Sequence, residues 1–526
     1  VAQEVASTGW GLGQWGGTQS GTFTSTLASG INASVTSLTL ASASSFPTSG
    51  RVQIGSELIT YTGVTSNTLT GLTRGALGTT AAIHSSGAEV KDSSGYAGWN
   101  TAVSGDVVTA PGIWSLDNFG NKLIATITGG ESFEWDSNPT AANNTRATII
   151  TSAPTASEFS LVSTPDRHLI FFGTETTIGD PTTQDPMFIR FSSQEDINTY
   201  TPSSINTAGT QRLADGSKIV GSIRGRDAIY IWTNTAMFIM RFVGPPFTFS
   251  FQQVGTNCGL IGPNAAVEVD GTAYWMSDNG FFRYTGKLES LPCLVEDHVY
   301  DDINTIPKQH VNVGLNNLFG EIMWFYPSSG SGTVNRMVAY NYLDSTPQRP
   351  VWTTGTLART AWQDSAVFGR PHATEYDADG TTAATDTNHV IGCTDGVSTY
   401  FEHETGLNQI KEGAITAITA SIESGDFDIG QQGLQGDGEF MMKIRRVIPD
   451  FLAQTGDARI TLNLKDFPND TAASSSLGPF TVTSGTQKID TRARARSISL
   501  KIDNTSTSQF WKLGTFRIDY QPDGRR

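Results

Sequence analysis

The sequence predicts an all-β protein: a β-propeller-like body, a small inserted N-terminal β-module and a C-terminal β-sandwich. Three observations carry that expectation. Short runs rich in β-branched and aromatic residues recur through 188–286, at 219–223, 228–232, 237–243, 247–251, 265–269, 272–276 and 281–284. Gly- or Pro-containing turns close them, among them Asp270-Gly271 and Asp278-Asn279-Gly280. Such runs joined by Asp-Gly or Asn-Gly are hairpin signals, and hairpin after hairpin is the sequence form of propeller blades. The composition agrees, because 55 Gly and only 16% charged residues suit turn-rich β-structure and disfavour long helices.

In chain order, residues 1–21 read as an extended arm. Gly11, Gly13 and Gly16 formally spell a dinucleotide fingerprint. That motif needs a strand before it and a helix after it, and the flanks offer neither. Trp10 and Trp15 read instead as anchors for a neighbouring subunit, since Trp is favoured at interface hot spots. Residues 22–95 form an accessory β-module with strands at 37–40, 51–54, 57–62, 69–72 and 89–91. Its 46–90 stretch resembles a small β-module inserted in many phage structural proteins. Residues 96–410 are the propeller-like body, where 122–127, 167–172, 187–191, 320–326, 336–342 and 351–352 extend the hairpin phrase to roughly five to seven blades. Residues 411–526 offer six strands, at 415–421, 440–449, 458–464, 480–483, 497–502 and 516–520, which fit a sandwich.

Composition also narrows function. A formal charge of −16 disfavours a protein that grips nucleic acid by neutralising phosphates. The basic bias is local: from Lys488 to the end, nine cations face four anions. Within it Arg492, Arg494 and Arg496 share one strand parity, which continues as Ile498, Leu500 and Ile502. One face cannot be both solvated and core, so the arginine half is expected to project past the sandwich and meet a neighbouring subunit. Solvent and DNA are the other readings. Cys258, Cys293 and Cys393 give neither a disulfide framework nor a zinc pattern and read as buried free thiols. The seven histidines show no zinc spacing. Glu375, Asp377, Asp379, Gly380 and Asp386 partly imitate a calcium loop, with Asp in place of the final Glu and no flanking helices; the bland reading is a surface turn. Asp301 with Asp302, and Asp426 with Asp428, are carboxylate pairs a glycosidase would need, though neighbouring acids in turns are usually solvated. No nucleophile-elbow or phosphate-loop motif, 18-residue apolar run or secretion leader is visible, and no cofactor or metal is expected.

Two segments carry a family resemblance. Residues 189–286 (IRFSSQEDINTYTPSSINTAGTQRLADGSKIVGSIRGRDAIYIWTNTAMFIMRFVGPPFTFSFQQVGTNCGLIGPNAAVEVDGTAYWMSDNGFFRYTG) and 491–526 (TRARARSISLKIDNTSTSQFWKLGTFRIDYQPDGRR), with the Gly/Trp arm, resemble tail nozzle or hub proteins of short-tailed bacteriophages. These are also described as packaged-DNA stabilisation proteins or tail tubular proteins B. The resemblance spans most of 111–526 and rests on structural phrases. It implies a non-enzymatic virion protein, assembled in the bacterial cytoplasm into a ring, usually of six copies, below the portal and adaptor. Double-stranded DNA would pass through the lumen without sequence-specific binding, fibres or receptor-binding proteins would attach around it, and no stable membrane insertion is implied. An acidic chain suits such a conduit, because each cationic contact would add affinity and friction. The alternatives are a receptor- or glycan-binding tail protein on a propeller scaffold, and a glycosidase.

Overall fold

The computed structural model describes residues 24–92, 113–377 and 397–525, apart from positions 56, 77–78, 139, 142, 144–146, 164–165, 366–367, 412–413, 431–432, 435–437, 468–469, 471–472 and 474. The chain divides into two units, Val1–His403 and Glu404–Arg526.

The N-terminal module is two small antiparallel sheets. One orders Thr24–Thr26, Glu89–Asp92, Gly50–Ile54 and Glu57–Tyr61; the other orders Ser37–Thr39, Thr68–Thr70 and Gly63–Thr65. Alternation in these short strands sends Leu38, Val52, Ile59, Leu69 and Val90 into one core. The sequence reading placed five of these strands in the right stretches and missed Thr24–Thr26 and Gly63–Thr65.

The body is a run of six antiparallel sheets, each a meander in chain order. The first holds Trp114–Phe119, Lys122–Ile127, Ser132–Asp136 and Thr148–Ile149. The second holds Phe159–Ser163, His168–Phe172, Phe188–Phe191 and Gly209–Arg212. The third holds Ile219–Arg224, Ile229–Thr233, Ala236–Gly244 and Thr248–Thr256. The fourth holds Ala266–Val269, Thr272–Ser277, Gly280–Tyr284 and Leu288–Ser290. The fifth holds Asn312–Asn316, Glu321–Tyr326, Arg336–Asn341 and Trp352–Gly355. The sixth has three strands among the described residues, Ala361–Gln363, His372–Asp377 and Val397–Glu402. The first strand of each sheet lies against the first strand of the next. Sequential four-stranded meanders with neighbouring inner strands are what make the body propeller-like.

Apolar faces between successive sheets hold the body together. The fourth position of the second strand carries Phe171, Trp232, Trp275 and Trp324 in sheets two to five, all fully buried. Trp232 packs on Trp275 at 5.2 Å between ring centroids, and Trp324 packs on Phe281 of the preceding sheet at 5.0 Å. The indole N–H of Trp275 donates to Cys258 O at 2.9 Å, and that of Trp324 to Ala265 O at 3.0 Å, which satisfies a donor each ring would otherwise bury. Among the described residues, Glu296–Asp302 is the one α-helix, in line with the expectation against long helices.

The second unit is a sandwich. A six-stranded sheet built around Ala458–Lys465 and Ser497–Asp503 faces a three-stranded sheet ordered Ile489–Ala495, Met442–Ile448 and Arg517–Pro522. Ile460, Leu462, Ile498 and Ile502 of one sheet share a core with Met442, Ile444, Val447 and Ala493 of the other.

Candidate functional site

The feature that stands out from the body is the hairpin of the third sheet. Its strands, Ala236–Gly244 and Thr248–Thr256, have nine residues each, against three to six in the other sheets of the body described above apart from the two-residue Thr148–Ile149. Residues Ala236 to Met240 are buried, but from Arg241 onward the strand is exposed on both faces. Pairing continues to Gly244 opposite Thr248, so the turn consists of Pro245, Pro246 and Phe247. Gly244 has φ +76°, a conformation that favours glycine at the last paired position before the turn. Val243 and Phe247 are 55% and 78% exposed. Thr248 Oγ1 donates to Thr207 O at 3.1 Å, which sets the 203–207 loop and its Ile205, 94% exposed, beside the same end.

The hairpin is rooted in a buried polar network of the second sheet. Asp166 Oδ2 lies 2.7 Å from His168 Nδ1, and His168 Nε2 lies 3.1 Å from Thr207 Oγ1. Ser163 Oγ donates to Asp166 Oδ1 at 2.6 Å, and Gln194 N–H donates to Thr207 Oγ1 at 2.8 Å. The connectivity imitates an acid–base–hydroxyl relay. His168 is, however, completely buried, with Phe249, Phe242 and Phe191 packed around it at 5.0, 5.7 and 6.3 Å. No substrate atom can reach it. The network positions the hairpin, and its polar groups are mutually satisfied, as burial requires.

The inner strands carry a second tie. Asp117, on the first strand of sheet one, accepts the Val162 N–H of sheet two at 2.7 Å and pairs with Arg224 of sheet three at 3.0 Å. One carboxylate thereby links three consecutive inner strands. Arg224, Arg226, Glu268 and Asp270 line a polar depression nearby.

The arginine strand differs from expectation in one respect. Arg492 and Arg494 do face outward from Ile489–Ala495, with Thr491, Ala493 and Ala495 turned inward. The following strand is not a continuation of the same sheet. At Arg496 the chain leaves the three-stranded sheet and enters the six-stranded one, and the extra residue shifts the parity so that Ile498, Leu500 and Ile502 point inward. The arginines sit at a sandwich corner and do not project past it. Arg494 Nε pairs with Asp523 Oδ2 at 2.6 Å. The Arg496 guanidinium donates to Gly438 O at 3.0 Å, Glu439 O at 3.3 Å and Arg525 O at 3.0 Å. The Arg492 side chain makes no ion pair or hydrogen bond among the described residues. Trp10 and Trp15 lie outside the described residues, as do Gly11, Gly13 and Gly16.

Glu375 lies on a strand, not in a loop, and pairs with Arg359 at 2.7 Å. Asp379, Gly380 and Asp386 of the calcium-like loop lie outside the described residues. Among the described residues no cluster of three His, Cys, Asp or Glu could hold a metal ion. Asp302 pairs with Arg336 at 3.2 Å and Asp426 with Lys465 at 2.6 Å, so one carboxylate of each candidate pair is held by a cation. Cys258 is a buried thiol, whereas Cys293 is half-buried and Cys393 lies outside the described residues; burial raises the pKa of the first two to about 11 and about 12, which keeps both protonated and unreactive. No described helix is long and apolar enough to cross a membrane.

Sequence reasoning missed a cluster on the sixth sheet. Phe368 and Tyr400 are 62% and 64% exposed, flank the ring of His372, and Tyr400 Oη hydrogen-bonds His372 Nδ1. The residues are 32 positions apart at their extremes, so only the pairing of His372–Asp377 with Val397–Glu402 brings them together.

No family model and no curated protein matches the chain. Among solved structures, the chain is similar to the AfRom2 CNH domain at 12% identity, covering 61% of this chain and 91% of that one with a TM-score of 0.33. It is similar to Kluyveromyces lactis Hsv2 at 10% identity, covering 61% and 95% with a TM-score of 0.29. Apo AztD from Citrobacter koseri matches at 10% identity over 64% and 99%, with a TM-score of 0.27. Similarity at this level decides nothing about ligand or partner. The propeller-like character of the body stands on its own sheet order and inner-strand contacts.

Proposed function

We propose that this chain is a structural virion protein, the tail nozzle or hub of a short-tailed bacteriophage. In this reading it assembles as a ring, expected to be hexameric, below the portal and adaptor. The ring closes the DNA channel before infection and conducts the genome afterwards. The observation that carries the reading is the family phrase at 189–286. It folds as the end of the second sheet, the whole third sheet with its long hairpin, and most of the fourth. That is a scaffold segment with a protruding contact element, not a catalytic cleft. The charge distribution supports it. Residues 404–526 hold fifteen Lys and Arg against fifteen Asp and Glu, so the whole −16 falls on 1–403. An acidic body repels DNA and keeps it moving, leaving retention to steric closure. Cryo-microscopy of tails, or native mass of the protein with its portal and adaptor, tests the reading. A ring of copies is expected, and a single copy per tail would end it.

The exposed trio Phe368, His372 and Tyr400 favours a second reading, a glycan- or receptor-binding protein on the same propeller-like scaffold. Aromatic faces flanked by Arg370 and Glu402 are groups that stack on sugar rings and bond their hydroxyls. Binding of a host polysaccharide by the monomer, lost in Tyr400→Ala, would support it over the ring.

A further inference from the structure

We propose that the tip of the third-sheet hairpin is a shallow lipid-contact element, which dips Val243, Pro245, Pro246 and Phe247 into the headgroup boundary of a membrane. The tip is apolar and exposed: Val243, both prolines and Phe247 face solvent, and Ile205 sits beside them. Single exposed apolar residues are ordinary, but a contiguous cluster at a protruding end marks a contact surface.

The backbone of the turn decides between a lipid and a protein partner. Gly244 and Thr248 still pair across the ladder. Of the three residues between them, two are prolines and have no N–H, which leaves Phe247 as the turn's only unpaired donor candidate. A protein pocket can satisfy loop N–H groups, whereas hydrocarbon cannot, and each unsatisfied group is costly there. A turn nearly stripped of donors is therefore suited to lipid. Charge points the same way. Between Asp227 and Glu268 the only charged residue is Arg241, in a chain of net −16. Arg241 lies three residues before Gly244, or about 10 Å along the strand at roughly 3.3 Å per residue. Interfacial elements bury their apolar face about 5–10 Å deep, so the guanidinium would stand at the level of the lipid phosphates. The buried His168 network and the Thr248–Thr207 bond fix the returning strand directly beside the turn, so Val243 and Phe247 are presented from a firm support and the contact stays shallow. Contact of this kind is peripheral and reversible, and it needs no ring.

The test is flotation of the full-length protein with phosphatidylcholine vesicles, and with vesicles in which part of that lipid is phosphatidylglycerol. Wild-type protein should float with both and hold in high salt, because the contact is mainly apolar. Val243→Ser with Phe247→Ser should raise the lipid needed by on the order of tenfold or more, since two apolar side chains no longer leave water. Both positions are exposed, so folding should be unchanged. Arg241→Ser should weaken only the preference for phosphatidylglycerol. Wild-type protein that stays unbound at excess lipid overturns the proposal, as does a double variant that floats like its parent. A double variant that instead loses mass in native spectrometry would show the tip to be a contact between copies, and would equally overturn it.

Discussion

At the scale of single residues, a buried carboxylate and a half-buried imidazole make the stability of this chain depend on pH in acid. Glu57 is completely buried, with Arg74 on both its oxygens at 2.7 and 2.8 Å, His84 Nε2 at 2.7 Å, and the N–H groups of Gly75 and Ala82 at 3.1 and 3.0 Å. Burial is the largest single influence and opposes ionisation, but the donors together outweigh it and lower the pKa from 4.5 to about 2. A depressed carboxylate stabilises the fold above its unfolded value and loses that contribution as pH falls toward 2. Glu57→Gln should flatten the acid unfolding of the 24–92 module between pH 4.5 and about 2, and should cost about 3–5 kcal/mol at neutral pH by leaving Arg74 buried without its charge partner. Hydrogen exchange of Glu57–Tyr61 in the intact chain reads both, and an unchanged acid profile would contradict the account. His403 works by the same linkage with a base. Burial, then the charges of Arg359 and His372, push its pKa from 6.5 down to about 4, and its Nε2 accepts from Arg359 Nε at 2.9 Å. The unfolded chain takes up a proton below 6.5 that the folded state refuses, so stability is full above 6.5 and erodes as pH falls toward 4. Exchange in His372–Asp377 and Val397–Glu402, corrected for intrinsic rates, should rise through that window, and His403→Gln should remove the rise.

At the scale of elements, the buried ring at the fourth position of the second strand in sheets two to five is the repeat that sets these sheets against one another. Trp324→Ala should cost about 3–5 kcal/mol, because it removes a fully buried indole, its bond to Ala265 O and its packing on Phe281. Thermal unfolding checks this; a loss below about 1 kcal/mol would mean the ring is not a structural post. The same position explains what could be read beforehand. Sheets three to five were legible because their second strands are apolar runs, and because turns such as Asp270-Gly271, with φ values of +49° and +85°, are chemically marked. The sixth sheet was faint because Glu375 stands where sheets two to five have a buried ring, paired with Arg359 instead of packed on a neighbour. The corner at Arg496 was hidden for another reason. One added residue flips the parity of a strand, and no composition signal accompanies it. Arg496→Ser should accordingly destabilise the sandwich itself, by about 1–3 kcal/mol, since three carbonyls lose a charged donor. The hairpin was legible as strands, but its exposed tip was not, because an apolar run does not declare which of its faces leaves the core.

At the scale of the whole molecule, charge is divided between residues 1–403, which carry the entire −16, and a C-terminal unit that balances to zero. In a ring, identical seams repeat, so even weak pairs between a cationic strand and an acidic neighbour recur at every interface. A single exposed pair is worth about 0–1 kcal/mol and is screened by salt. Six such seams would make assembly, more than folding, sensitive to ionic strength. The three arginines are not equivalent candidates for that seam. Arg494 is already engaged by Asp523 and Arg496 by three carbonyls, whereas Arg492 is exposed and unpaired among the described residues. Arg492→Glu should therefore weaken assembly with no loss of thermal stability in the monomer, and raising salt should weaken the parent toward the same level. Native mass spectrometry across ionic strength reads both. If Arg492→Glu assembled like its parent and changed only the salt dependence of DNA binding, the arginine face would be a phosphate contact. A basic surface in register with one phosphate charge per about 1.7 Å of duplex would hold the genome where a conduit must release it, and the proposal that an acidic body keeps DNA moving would fall with that result.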